Sequence, residues 1–98
     1  MRLTAEEGGV VGECRHMRSV PMPEPEASGT GCKECLEIGQ GWVQLRKCLE
    51  CGHIGCCDSS IGKHATRHAE ETGHAVIRSF EPGATWRYCY VDGEYAER

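Results

Sequence analysis

The chain has 98 residues, with 11 lysines and arginines against 15 aspartates and glutamates, which gives a formal net charge of −4 at pH 7. This length predicts one domain with a small core, and a single phenylalanine contributes to it. The basic residues are scattered and form no stripe, so we expect no nucleic-acid partner. Because the core is small, we expect the eight cysteines to provide cross-links.

The N-terminal segment lacks the apolar run of a signal peptide, and no stretch of the chain is long and apolar enough to predict a membrane span. We therefore expect a cytoplasmic protein with reduced thiols and no membrane partner. In that setting, cysteines spaced like metal ligands indicate zinc. A framework held mainly by disulfides is the alternative, but it leaves the histidine positions unexplained.

In chain order, residues 1–13 are expected to form a flexible N-terminal segment, or at most an edge strand near Val10 and Val11. Residues 21–31 hold three of the four prolines and predict an irregular linker. Residues 41–47 have strand-like content.

Residues 58–73 predict a helix, which Asp58, Ser59 or Ser60 could cap and which Gly73 would end. Its two histidines, four residues apart, would share a face. Residues 75–80 and 85–91 predict two further strands. The expected fold class is a small zinc-stabilised α+β domain with a short β-sheet and one main helix.

Two C-x2-C motifs carry the strongest chemical signal. A single motif of this form also fits a redox pair, but two of them followed by one further cysteine and three histidines match tetrahedral zinc sites. The residues concerned are Cys32, Cys35, Cys48, Cys51, Cys56, His64, His68 and His74.

The pattern Cys32-x2-Cys35-x6-Trp42-x5-Cys48-x2-Cys51-x4-Cys56-x7-His64-x3-His68-x5-His74 resembles the ubiquitin-specific-protease-type (UBP) zinc finger. The resemblance extends from Cys14 to about Tyr95, so we assign residues 14–98 to the UBP-type domain. It implies interleaved, cross-brace zinc sites. The first zinc would be held by Cys32, Cys35, Cys56 and His64, and the second by Cys48, Cys51, His68 and His74.

Family members with three metals close a third site with ligands near both ends of the domain. The matching residues here are Cys14, His16, Cys89 and Asp92, with Asp92 in place of a cysteine. A carboxylate is a legitimate zinc ligand. The alternative is a hydrogen-bonded polar cluster without metal, so we expect two or three zinc ions.

Two residues near these motifs have other expected roles. Cys57 could replace Cys56 as a ligand, but the family spacing favours Cys56 and makes Cys57 a buried small hydrophobic residue. His53 is expected to be a surface turn residue.

Closed four-ligand sites leave no position for substrate, and other catalytic motifs are absent from the sequence, so we expect a non-enzymatic domain. The resemblance implies binding of the ubiquitin C-terminal Gly-Gly tail through Trp42 and Tyr95. However, Asp58 stands where the family has a carboxylate-binding arginine, and an acidic group there would repel the tail. Arg67 or Arg87 could substitute for it, and Trp42 could instead pack against the zinc core.

Two other functions fit the sequence. A protein-interaction module with an unidentified protein or peptide partner needs the fewest assumptions, and Trp86, Tyr88 and Tyr90 would add to its aromatic surface. A thiol-based redox or zinc sensor is the other alternative, for which Cys57 is the one thiol outside the expected sites.

Overall fold

The computed structural model describes residues 14–96. Within this range the chain forms three helices and five strands. They are α1 (Arg15–Arg18), α2 (Lys33–Ile38), β1 (Leu45–Cys48), β2 (Ile54–Cys56), α3 (His64–Thr72), β3 (Val76–Ser79), β4 (Arg87–Cys89) and β5 (Glu94–Ala96). The segment 1–13, for which we predicted flexibility or an edge strand, lies outside the described residues.

All five strands form one antiparallel sheet in the order β2-β1-β3-β4-β5. Leu45 of β1 lies opposite Cys56 of β2, and Tyr88 of β4 lies opposite Tyr95 of β5. Helix α3 packs against β1 and β2. This arrangement confirms the predicted compact α+β class with several Cys/His clusters.

The core consists of two small clusters, and cysteines belong to both of them. One cluster contains Met17, Leu49, Ala75, Val76, Cys89 and Ala96. The other contains Cys32, Cys35, Leu45, Ile54 and Cys56, with Trp42 and Phe80 partly buried against it. Since thiols replace larger apolar side chains at the centre of the domain, packing alone supplies little stability.

Helix α3 begins at His64, later than the predicted residue 58, so capping by Asp58, Ser59 or Ser60 was the wrong expectation. Residues 58–62 form turns, and Lys63 before the helix has a left-handed backbone with φ 48°. The turn packs closely against the first helical residue. A Cβ at Gly62 would lie only 2.3 Å from the His64 ring, so no side chain fits there.

The predicted end of the same helix is confirmed. Gly73 follows Thr72 with φ 79°, and its amide donates to the Ala69 carbonyl at 2.9 Å. Glycine adopts this left-handed conformation without the steric penalty of a Cβ.

Three predicted strands exist but are shorter than expected. Strand β3 lies within 75–80 and β4 lies within 85–91. Strand β1 covers only the end of 41–47 and extends to Cys48. Strands β2 and β5 and helices α1 and α2 were not predicted. Each has only three to six residues, which is too short for a hydrophobic period to stand out.

The linker 21–31 is irregular, as predicted, yet it is tied to the sheet. Glu24 accepts hydrogen bonds from Lys47 at 2.6 Å and from Arg78 at 2.9 Å. Ser28 Oγ accepts from the Ile54 amide at 3.1 Å. Within residues 14–96, no helix has the length and apolar content needed to cross a membrane.

Candidate metal centres and an aromatic pocket

The first ligand cluster is fully buried and consists of Cys32, Cys35, Cys56 and His64. The three Sγ atoms each lie 3.3 Å from His64 Nδ1, and the sulfurs of Cys35 and Cys56 are 3.8 Å apart. Four ligands placed at zinc distances on a tetrahedron are about 3.3–3.8 Å from one another. The spacing of these atoms therefore fits one tetrahedral zinc ion.

Local structure explains how this cluster forms. Cys32 directly precedes α2, and the Cys35 amide, one turn later, donates to Cys32 Sγ at 3.4 Å. Cys56 ends β2, and its sulfur accepts from the His64 amide at 3.2 Å. Such amide donors orient thiolates and stabilise their charge, as outer-shell groups do at metal sites.

The second cluster consists of Cys48, Cys51, His68 and His74 and is more exposed than the first. Cys51 Sγ lies 3.3 Å from His68 Nε2, and Cys48 Sγ lies 3.7 Å from His74 Nδ1. The Glu50 amide donates to Cys48 Sγ at 3.4 Å. Two thiolates and two imidazoles form an ordinary structural zinc set.

The third cluster joins the two ends of the described chain. It consists of Cys14, His16, Cys89 and Asp92, whose ligand atoms lie within 4.8 Å of one another. Asp92 Oδ2 is 3.0 Å from His16 Nδ1 and 3.7 Å from Cys89 Sγ. Hydrogen bonds from Cys14 and His16 lower the pKa of the Asp92 carboxyl, so it is an anion available as a hard ligand.

The clusters interleave along the chain, because Cys48 and Cys51 of the second cluster lie between the cysteines of the first. Helix α3 contributes His64 to the first cluster and His68 to the second. This single helix therefore connects two candidate metal centres.

Burial raises the pKa of at least one thiol in each of the three clusters. It raises the pKa of Cys35 to about 12, with further increases from the neighbouring Cys32 and Cys56 thiols. Burial also raises the pKa of Cys48 to about 11 and that of Cys14 to about 11. Without metal these thiols stay protonated near neutral pH, so a zinc ion must displace their protons.

Cys57 lies outside the three clusters. It is buried, and its Sγ lies 3.6 Å from Ser60 Oγ. The first cluster contains Cys56 instead, and Cys56 as the zinc ligand stays a prediction.

His53 is more deeply placed than the surface turn position that we expected. Its side chain is 12% exposed, and its Nε2 lies 2.8 Å from Glu34. Its ring stacks on that of His68, with centroids 4.1 Å apart. His53 thus connects α2 to a ligand of the second cluster, a contact between distant segments that the sequence gives no signal for.

An aromatic pocket of about 270 Å³ lies between α3 and the sheet. Its rings are in mutual contact, since centroids are 5.4 Å apart for Trp86 and Tyr95, 4.6 Å for Tyr88 and Tyr95, and 5.3 Å for Tyr88 and Tyr90. Two charged side chains also line it, those of Arg46 and Asp58.

Trp42 and Tyr95, which the resemblance placed in one binding pocket, lie in different surroundings. Tyr95 lines the aromatic pocket and is 63% exposed. Trp42 does not line it; the ring packs against the core cluster that holds the first ligands, over Gly31.

The arginines that we considered as substitutes also lie outside this pocket. Arg67 lines a different cavity with His64 and His68, and Arg87 is buried in β4. Arg46 lines the aromatic pocket instead. Arg46 lies in β1 and not at the position of Asp58, where the family has its arginine. Strand pairing, and not sequence spacing, brings Arg46 to the pocket.

Comparison with known proteins identifies the scaffold. A family model described as "Zn-finger in ubiquitin-hydrolases and other protein" matches residues 32–98. The chain belongs to this UBP-type zinc-finger family. The match begins after Cys14 and His16, so half of the third cluster of this UBP-type finger lies outside it.

Curated relatives include BRCA1-associated protein from Mus musculus and from Homo sapiens. Each is 35% identical over 75 residues, which is 76% of this chain but only 11% of the relative. Among solved structures, the solution NMR structure of protein RPA1320 from Rhodopseudomonas palustris has 48% sequence identity and a TM-score of 0.79. That match covers 86% of this chain and 80% of the other.

Family membership and the Cys/His clusters together establish a zinc-binding domain. The residues present suit zinc, because cysteine and histidine are its preferred protein ligands.

Proposed function

We propose that this UBP-type finger is a non-enzymatic protein-interaction module held together by up to three structural zinc ions. Each candidate centre has four protein ligands, which is the composition of a closed structural site. A catalytic zinc ion usually keeps one position open for water or substrate. The ligand sets therefore support a structural role for the metal.

The aromatic pocket is the observation that carries the interaction role. Exposed Tyr95 and half-buried Trp86, Tyr88 and Tyr90 form a concave surface on the sheet. Tyrosine and tryptophan are enriched at binding hot spots, because they bury much area and lose little side-chain entropy. The partner that fits such a surface is a peptide segment of another protein.

Selection from a random peptide library on the zinc-loaded chain tests this role. Selected peptides are expected to bind Tyr95→Ala and Trp86→Ala at least about tenfold more weakly than the original chain. The matched control is Leu36→Ala, because Leu36 is an exposed apolar residue on α2 that does not line the pocket. Equal binding to all four proteins would exclude the pocket as the interaction surface.

Binding of the ubiquitin C-terminal tail is a second candidate, and the Arg46 side chain in the pocket favours it. A guanidinium can pair with a terminal carboxylate, although Asp58 in the same pocket opposes it. Titration with a peptide ending in a free Gly-Gly carboxylate, followed by tryptophan fluorescence, is the test. The amidated peptide is the control, and an unchanged spectrum with both peptides would rule out this candidate.

A further inference from the structure

Two opposite charges line the aromatic pocket without pairing with each other. Within residues 14–96, neither Arg46 nor Asp58 takes part in an ion pair. Asp58 is exposed and Arg46 is partly buried, so both charges are accessible to a ligand in the pocket. A neutral apolar ligand would desolvate them without compensation, whereas a charged ligand can pair with one of them. The two charges therefore indicate the polarity of the ligand.

The positive charge is already partly satisfied. The guanidinium carbon of Arg46 lies 4.6 Å from the centroid of the Trp86 ring. Its nitrogens donate to the Leu45 carbonyl at 2.9 Å and to Gln44 Oε1 at 3.3 Å. Stacking and hydrogen bonds of this kind fix the group along the Trp86 side of the pocket.

The negative charge has fewer partners. Asp58 Oδ1 accepts a hydrogen bond from Thr66 Oγ1 at 2.5 Å, and Thr66 Oγ1 is in turn 3.2 Å from the Tyr90 hydroxyl. No other hydrogen bond to Asp58 is formed by residues 14–96. Since a carboxylate can accept about four hydrogen bonds, Asp58 keeps capacity for a donor from a ligand.

The surroundings of Asp58 suit a cation. The Thr66 hydroxyl contacts the carboxylate, and the Tyr90 hydroxyl contacts Thr66 in turn. The rings of Tyr88 and Tyr90 line the same pocket. Aromatic faces attract cations through their quadrupole, and a nearby carboxylate supplies the counter-charge. The same carboxylate repels an anionic ligand.

We propose that the aromatic pocket takes a positively charged ammonium group of a peptide partner, with Asp58 as its counter-ion and the tyrosine rings as its walls. This inference rests on the interaction role proposed above and specifies the chemistry of the partner. The remaining donors of Arg46 then face carbonyl oxygens of the same peptide. The ammonium group can come from a lysine side chain or from a free amino terminus.

Amide chemical-shift mapping on the zinc-loaded chain tests the charge preference. The probes are acetyl-Gly-Lys-Gly amide, its neutral counterpart acetyl-Gly-Gln-Gly amide, and triglycine amide with a free amino terminus. At least one ammonium peptide is expected to shift the amides of residues 88–95 and to bind about fivefold more tightly than the glutamine peptide. Which of the two ammonium peptides binds identifies the source of the group.

Substitutions at Asp58 make the test specific. Asp58→Asn keeps an acceptor for Thr66 but removes the charge, so the preference for the ammonium peptide should disappear. Glu37→Gln is the matched control, because it removes the same charge from α2 outside the pocket and should leave the preference unchanged. Asp58→Arg should bind the ammonium peptides more weakly than the glutamine peptide, because it replaces the counter-ion with a like charge.

Three results would overturn the inference: no shift with either ammonium peptide at millimolar concentration, no preference over the glutamine peptide, or unchanged binding by Asp58→Asn. Failure of the interaction role itself is distinguishable. If library-selected peptides of any charge bind and lose affinity on Tyr95→Ala, the interaction role stands and only the cation preference is wrong.

Discussion

Cys56 and Cys57 are neighbours in sequence but have different surroundings. Cys56 lies 3.3 Å from His64 Nδ1 in the first cluster, whereas Cys57 contacts Ser60. Successive side chains of a strand point to opposite sides, and β2 ends at Cys56. Cys56 therefore faces the first cluster, whereas Cys57, just past the end of the strand, faces Ser60.

This difference predicts opposite results for two alanine substitutions. Cys56→Ala removes a ligand from the buried cluster, so native mass spectrometry should show one zinc ion fewer. Cys57→Ala should keep the full zinc content and lose about 1 kcal/mol of unfolding free energy through the lost packing. Loss of zinc in Cys57→Ala alone would contradict the assignment.

Asp92 is the one carboxylate among the ligands of the three clusters, so the third cluster has the hardest ligand set. Three zinc ions are expected in the original chain by native mass spectrometry, and two in Asp92→Ala. Asp92→Cys should retain three and hold the third more tightly against a chelator, because thiolate is the softer ligand. Two ions in all three proteins would mean that the cluster is a hydrogen-bonded polar group.

At the scale of elements, α3 depends on both of its ends. It begins with His64 in the first cluster, carries His68 to the second, and ends at Gly73. Its nine residues are below the length at which an isolated helix is stable in water. We therefore expect packing on the sheet and zinc binding by its histidines to maintain it.

Gly73→Ala tests the helix end. No atom lies within 4 Å of the added Cβ, so the cost is the left-handed backbone alone, about 1 kcal/mol of unfolding free energy. Thermal denaturation of the zinc-loaded chain measures it. Gly41→Ala is the control, because Gly41 has equally open surroundings without a positive φ and should change the melting temperature little.

The sequence predicted those elements whose signals are local. Gly73 ends α3 as its position indicated, and the C-x2-C spacing predicted turns that bring two sulfurs together. The start of α3 was missed because the turn before it is shaped by close packing around His64. Arg46 was missed because strand pairing, which joins distant segments, places it beside Trp86.

At the scale of the whole molecule, we infer that the candidate metal centres compensate for a small hydrophobic core. Cysteines belong to both core clusters, and few large apolar side chains surround them. Structural zinc contributes folding free energy directly, since unfolded chains lack a preformed site. We therefore expect the aromatic pocket to depend on zinc bound elsewhere in the domain.

Zinc removal should consequently unfold most of the domain. With a strong chelator at neutral pH, the far-UV circular dichroism of α3 and the sheet is expected to decrease, and added zinc should restore it. A full circular dichroism signal after complete metal removal would show that packing alone maintains the fold. Adding the chelator already saturated with zinc provides the control for direct effects of the reagent.

The raised thiol pKa values predict how zinc binding depends on pH. Burial raises the pKa of Cys32 and raises that of Cys35 to about 12, so both are protonated in the metal-free domain at neutral pH. Zinc must displace at least these two protons from the first cluster, and its affinity should rise about a hundredfold per pH unit. Competition with a chelator of known pH dependence, between pH 6.5 and 7.5, measures this slope.

The metal-free fold should show the opposite trend with pH. A thiol ionises at about pH 9 in the unfolded chain but only at about pH 12 for Cys35 in the folded one. The unfolded state therefore loses the Cys35 thiol proton at a lower pH than the folded state does. The stability that the buried thiol contributes below pH 9 is lost as the pH rises toward 12. Denaturant unfolding of any residual metal-free structure checks this sign. A zinc affinity independent of pH would contradict the protonated-thiol description of the first cluster.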